Sequence, residues 1–207
     1  PNHCSFLIDY YTRPGYTVLD PFVGRGSTGI SAVMLNRNFI GIDILPDAVD
    51  HNREVLQEYI DIPSVTWDIK HEDGTQIKSL LDGNVKVDAV ITDPPYYEKA
   101  EVYSHNPLDL CTQSRVEYLN SLRTLFLNMK RVVRPSLIGG HKQIQGLVDM
   151  AIDFQAIAEK CGWVLWDKSF ISLNSALQSL TFQRNYASGY VTKNYETILV
   201  FVWFEEE

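Results

Sequence analysis

Apolar and polar positions along this chain follow two periods in turn. Tyr16–Asp20 is a short β-rich run that stops at Asp-Pro. Ser27–Arg37 has the spacing of a helix with small residues on its first turn. Asn38–Ile44 predicts a second strand and Pro46–Tyr59 a second helix, since Pro46 suits a first turn and Asp47 the positive helix end. Ser64–Asp68 predicts a third strand. Val85–Thr92 predicts a fourth, which runs straight into Asp93-Pro94-Pro95. Ser114–Val133 reads as a long helix, with Val116, Leu119, Leu122, Leu125, Phe126 and Met129 on one stripe. Leu147–Cys161 reads as another, stopped by Gly162. Trp163–Leu173 and Tyr195–Phe204 complete the set as strands. Strands and helices alternating with short links predict an α/β fold, a mostly parallel sheet covered on both faces. One step is thin. A fifth core strand is due after Arg134-Pro135, and only Ser136–Gly140 is offered for it. Either that strand is stunted or residues are absent there.

Composition narrows the picture only modestly. The 207 residues are 45% hydrophobic and 12% aromatic, which excludes disordered and low-complexity classes. The longest apolar run, Ile198–Phe204, is far too short to span a bilayer. Cys4, Cys111 and Cys161 are scattered, with no Cys-x-x-Cys or His/Cys cluster, so neither a metal site nor a disulfide framework is expected. A reducing cytoplasm is the expected setting. The start at Pro1 shows no targeting pattern and reads as an edge with sequence upstream. Net charge is −8, which argues against a strong autonomous nucleic-acid binder. The charge is uneven, however. Residues 1–117 hold 9 Lys/Arg against 18 Asp/Glu, whereas residues 118–207 hold 9 against 8. Two stretches, 118–148 and 168–195, contain no acid at all. Solvated helix faces are the plain alternative to a nucleic-acid footprint there.

Chemistry concentrates in two places. Asp20-Pro-Phe22-Val-Gly24-Arg-Gly26-Ser-Thr-Gly29 fits G-x-G-x-x-G between a strand and a helix, a turn that carries nucleotide-bearing ligands. Asp20 alters that reading, because a carboxylate at the strand tip repels pyrophosphate. A ligand with a cationic head and no phosphate fits instead, as S-adenosylmethionine does. Asp43 ends the second strand about 20 residues on, where an acid accepts from ribose hydroxyls. Asp73-Gly74 follows the third strand, placed either to meet an adenine edge or simply to make a turn. The second place is Asp93-Pro94-Pro95-Tyr96. Two prolines make a rigid corner with few backbone donors. The Asp93 carboxylate and the Pro94 carbonyl can accept both hydrogens of a planar amine, and Tyr96 can stack on its ring. Ligands of open parallel sheets bind outside the carboxyl ends of the strands, so both places face one crevice.

Together these residues resemble the DNA amino-methyltransferases, which methylate adenine N6 or cytosine N4 with S-adenosylmethionine. The shared pieces are Asp20-Pro-Phe22-x-Gly24-x-Gly26, Asp43 and Asp93-Pro-Pro-Tyr96. Arg131–Pro135 and Asn194–Phe201 look like the family's fifth-helix end and seventh strand. The resemblance implies a Rossmann-like seven-stranded sheet in the order 3-2-1-4-5-7-6 with the last strand antiparallel. It further implies a leading helix in Pro1–Tyr11 that closes over the methionine end. It assigns Asp20, Phe22, Gly24, Gly26, Asp43, Asp73 and Gly74 to the cofactor, and Asp93, Pro94, Pro95 and Tyr96 to catalysis. Asp-Pro-Pro-Tyr favours adenine over cytosine, and a flipped base of DNA is the implied substrate. Residues 1–207 read as one catalytic domain with no long insertion for target recognition, which leaves a recognition subunit or an upstream domain open. An RNA or other planar-amine methyltransferase stays open as well. The acid-free connection Asn174–Asn194 falls at the carboxyl edge in the implied fold, so Arg184 and Lys193 are the candidate nucleic-acid contacts.

Overall fold

A computed structural model describes residues 3–58, 64–95, 97, 106–134, 143–147, 151–172 and 195–204. The strands are β1 (Thr17–Asp20), β2 (Asn38–Asp43), β3 (Trp67–His71), β4 (Ala89–Thr92), β5 (Gln143–Leu147), β6 (Val164–Ser172) and β7 (Tyr195–Val202). The helices are α1 (His3–Tyr11), α2 (Ser27–Met34), α3 (Pro46–Gln57), α4 (Lys78–Asp82), α5 (Arg115–Val132) and α6 (Ala151–Lys160). The strands hydrogen-bond in the order β3-β2-β1-β4-β5-β7-β6. The pairings from β3 through β5 are parallel, while β7 runs antiparallel to both β5 and β6. The α/β class and the parallel sheet are thus borne out.

Strand alternation sorts the core into two layers. Val18 and Phe39 face Leu7 and Ile8 of α1, Ala32 and Val33 of α2, and Val49 and Leu56 of α3. Leu19, Ile42 and Val90 face the other way, into Leu80 of α4, Leu122, Leu125, Phe126 and Met129 of α5, and Phe154 and Ala158 of α6. Ser114 caps α5 in a reciprocal capping box with Glu117. Burial continues through Tyr118, while Val116, expected on the stripe, is 70% exposed. Among the described residues no helix is long and apolar enough to cross a membrane, and Cys4, Cys111 and Cys161 are free thiols.

The fifth strand corrects the sequence reading. It lies at Gln143–Leu147, and the helix expected from Leu147 begins at Ala151. Ser136–Gly140 lies outside the described residues. Gln-Ile-Gln-Gly-Leu has weak intrinsic β preference. Pairing on both sides, with β4 and with β7, holds it in the sheet, an override of propensity by tertiary context. The third strand is displaced too, from the expected 64–68 to Trp67–His71, because its register runs from Phe39↔Trp67 to Asp43↔His71. That shift places the turn at residues 72–76 beside the carboxyl end of β2.

Candidate functional site

The carboxyl ends of β1, β2 and β4 open on two adjoining cavities of about 730 and 350 Å³, within the usual range for small-ligand sites. Phe22, Gly24, Arg25 and Asp93 line both. The larger one is completed by Asp43, Leu45, Asp73, Gly74, Pro94 and Pro95, and the smaller by Asp20, Thr28, Thr92 and, from α1, His3, Cys4 and Leu7. Thus Asp20, Phe22, Gly24, Gly26, Asp43, Asp73, Gly74, Asp93, Pro94 and Pro95 come together on one crevice. Tyr96, Arg184 and Lys193 lie outside the described residues.

Local geometry explains the glycines. Gly26 has φ +85°, and a Cβ there would meet Asn52 Oδ1 at 2.4 Å. A Cβ on Gly74 would sit 1.9 Å from the Pro21 carbonyl oxygen, so only glycine lets the β3–α4 turn press against the β1 loop. Asn52 is the tie that sequence reasoning missed. Its Nδ2 donates to the carbonyls of Gly24 and Ala48, both at 2.8 Å, and fixes the glycine loop to α3. A signal existed, since Asn52 interrupts the buried stripe Val49, Asn52, Leu56 with a polar group. Asn128 of α5, also missed, donates to the Thr75 carbonyl at 3.0 Å and braces the turn that carries Asp73.

The acids differ in their surroundings. Asp20 is 3% exposed, and Phe22 N–H donates to its Oδ1 at 3.1 Å. Burial pushes its carboxyl up to about 6 against the pull of Thr92, Thr28 and the Phe22 N–H, with the Asp43 charge adding to the rise. Asp43 accepts from Gly24 N–H on Oδ2 (2.9 Å) and from Leu45 N–H on Oδ1 (3.0 Å). Burial also pushes Asp43 up, opposed by those two N–H groups and that of Ile44. Each Asp43 oxygen retains acceptor capacity for a hydroxyl. Asp73 makes its own turn, with Thr75 N–H and hydroxyl both donating to Oδ1 at 2.8 Å, while it also lines the larger cavity. Asp73 thus makes the turn and also faces the crevice. At the end of β4, Asp93 is exposed to the crevice and Pro94 is buried. Tyr97 packs on Tyr118 of α5 at 5.2 Å between ring centroids, which pins the chain just past the tetrapeptide.

The donor set suits S-adenosylmethionine. A buried carboxylate beside the smaller cavity matches an ammonium, the α2 end carries no acid that would compete, and the Asp43 acceptors match a diol. Comparison with known proteins points the same way over part of the chain. Residues 3–54 match the DNA methylase family. The resemblance to that family is borne out over this stretch, which contains Asp20–Gly26 and Asp43, while Asp93–Tyr96 lies beyond it. Over 42 residues this methylase-like chain is 62% identical to the Type II methyltransferase M.BsoBI of Geobacillus stearothermophilus, a stretch covering 20% of this chain and 8% of that protein. Over 85 residues it is 35% identical to a tRNA (guanine(10)-N2)-dimethyltransferase of Pyrococcus abyssi, covering 41% of this chain and 25% of that one. The chain thus spans about a quarter of that relative's length. In fold it is similar to magnesium protoporphyrin IX methyltransferase of Synechocystis PCC 6803, solved with bound S-adenosylmethionine. The TM-score is 0.59 at 16% identity, over 97% of this chain and 76% of that one. S-adenosylmethionine is the cofactor that this crevice fits.

Proposed function

We propose that this chain transfers the methyl group of S-adenosylmethionine to the exocyclic amine of a DNA base, adenine N6. The supporting observation is the junction of the two cavities, where Asp93 stands beside the glycine loop. When bound, the cofactor supplies an electrophilic sulfonium methyl. The chain's own residues make the amine ready to receive it. An aromatic amine is a weak nucleophile because its lone pair is delocalised into the ring. The Asp93 carboxylate and the Pro94 carbonyl accept its two hydrogens, which favours a more tetrahedral nitrogen with its lone pair exposed. Buried Pro94 keeps that carbonyl fixed, and proximity supplies several kcal/mol more, on the order of the gain in well-oriented intramolecular reactions. No strong base is needed, since the methylated nitrogen is itself acidic and gives its proton to Asp93 or water. Tyr96 stacks on the extruded base, and Arg184 and Lys193 hold the phosphate backbone. Residues 1–207 act as one catalytic domain, with target selection supplied by a recognition subunit or an upstream domain.

A second reading, methylation of an RNA amine, is favoured by the 35% identity to the tRNA methyltransferase. One experiment separates the two. The protein is incubated with labelled S-adenosylmethionine and either DNA or RNA, and the nucleosides are then analysed by mass spectrometry. N6-methyldeoxyadenosine supports the first reading and a methylated ribonucleoside the second. Label in neither, with bound cofactor, overturns both.

A further inference from the structure

The glycine loop carries one charged side chain that the motif reading does not use. Arg25 stands between Gly24 and Gly26, whose φ angles of +48° and +85° carry the strain of the turn, so the turn makes no demand on the residue between them. The backbone is pinned on both flanks of Arg25. Gly24 N–H donates to Asp43 Oδ2 at 2.9 Å, the Gly24 carbonyl accepts from Asn52 Nδ2 at 2.8 Å, and Gly26 N–H donates to Val23 O at 2.9 Å. The loop thus holds an exposed arginine at the junction of the two cavities, both of which it lines together with Asp93. Six aspartates line these cavities, from Asp20 to Asp109, whereas Arg25 is the sole arginine or lysine. No carboxylate among the described residues lies within ion-pair distance of it, so its charge is open to an incoming anion.

Two anions come to that junction, the carboxylate of the cofactor and a phosphate of the substrate strand. The first has donors elsewhere. Helix α2 starts at Ser27 on the smaller cavity with no side-chain cap and no acid in its first turn, so its leading N–H groups meet a carboxylate without Arg25. The second meets a hostile field. A base whose amine is held at Asp93 brings its phosphates toward Asp43, Asp73 and Asp93, in a chain of net charge −8.

We propose that Arg25 binds a backbone phosphate flanking the target base and so holds the strand beside Asp93 against the repulsion of the acidic crevice. The inference rests on the nucleic-acid reading above, and it puts one phosphate contact on the cofactor loop itself. A guanidinium suits the task, because its planar fork meets phosphate oxygens two at a time.

Methylation kinetics on the full chain test it, with unmethylated phage DNA as substrate, or RNA if RNA is what accepts the label. Arg25→Gln is expected to raise KM about tenfold with kcat nearly unchanged, as for loss of a charged hydrogen bond made equally before and during reaction. The slope of log kcat/KM against log salt should fall in magnitude by about 0.7–0.9, the share of one phosphate. Arg25→Lys keeps the charge and should keep the wild-type slope. Affinity for S-adenosylhomocysteine, measured by calorimetry, should stay at wild type in both variants. An unchanged KM and slope in Arg25→Gln overturns the proposal and leaves the nucleic-acid reading standing. A loss of S-adenosylhomocysteine affinity with an unchanged slope overturns it too, and assigns Arg25 to the cofactor's carboxylate. A wild-type protein that binds S-adenosylhomocysteine but labels neither DNA nor RNA overturns both the proposal and the reading beneath it.

Discussion

The two sides of the crevice are built by different means. On the side formed by β1, β2 and β3, each ligand-facing group sits at a strand's carboxyl end or within a few residues of it. Backbone donors fix its geometry: Phe22 N–H on Asp20, Gly24 and Leu45 N–H on Asp43, Thr75 N–H on Asp73. Helices α2 and α3 and the tie from Asn52 lock the loop from behind. On the side formed by β4, only Asp93-Pro94-Pro95 comes from a strand end. The rest arrives from Leu108, Asp109 and Leu110, more than ten positions further on, with Leu110 packed into the same core cluster as Tyr118. The first side is a rigid socket for one ligand. The second is a short rigid corner inside a longer frame drawn from a separate stretch of the chain.

That contrast breaks most sharply at Asp93. Asp93→Ala is expected to lower turnover by about 10²-fold or more, the size seen for loss of a preorganised polar group, with cofactor affinity nearly unchanged. Single-turnover rates alongside calorimetry measure both, and a fall in cofactor affinity as large as that in rate would merge the two sides. Asp43→Ala makes the reciprocal case. It should weaken S-adenosylhomocysteine by about 1.5–3 kcal/mol through loss of charge-assisted hydrogen bonds, and unchanged affinity would remove Asp43 from the socket. Gly74→Ala probes the rigidity itself. A methyl 1.9 Å from the Pro21 carbonyl cannot be accommodated without backbone movement, so stability should drop by about 1–3 kcal/mol in chemical denaturation. A wild-type denaturation midpoint would mean that the turn yields freely.

The same contrast sets what the sequence could reveal. The socket was legible because its constraints are local: glycines at fixed spacing, an acid at each strand tip, and a helix that starts at once. Asn52 escaped because its role is to bond carbonyls of Gly24 and Ala48, which only the packing of α3 on the loop brings within reach. The cavity wall at Leu108–Leu110 escaped for a related reason, since nothing in Pro107-Leu108-Asp109-Leu110 shows that its capped 3₁₀ turn faces the crevice. On the other side, Asp93-Pro94-Pro95 was legible and β5 was not. Its five residues become a strand only because β4 and β7 flank them. Where local chemistry decides a conformation, the residues announce it; where a neighbour decides it, they do not.

Asp20 carries the smallest expected effect and the most direct test of the socket's charge. Its carboxyl is raised from 3.8 to about 6 in the folded chain, chiefly by burial. Between those values the folded state holds a proton that the unfolded state has lost. The favourable contribution is therefore complete below the unfolded value and is lost as pH rises through about 6. Acidifying ligand-free protein from pH 7 to pH 5 should stabilise wild type by about 1 kcal/mol relative to Asp20→Asn, as read from paired denaturation curves. An ammonium placed beside Asp20 reverses the balance, because it favours the ionised form. Cofactor binding near pH 6 should then release protons from wild type, seen as a dependence of calorimetric heat on buffer ionisation, and Asp20→Asn should show less. A wild-type pH profile in Asp20→Asn, with the same proton release, would place the cationic end of the cofactor away from Asp20.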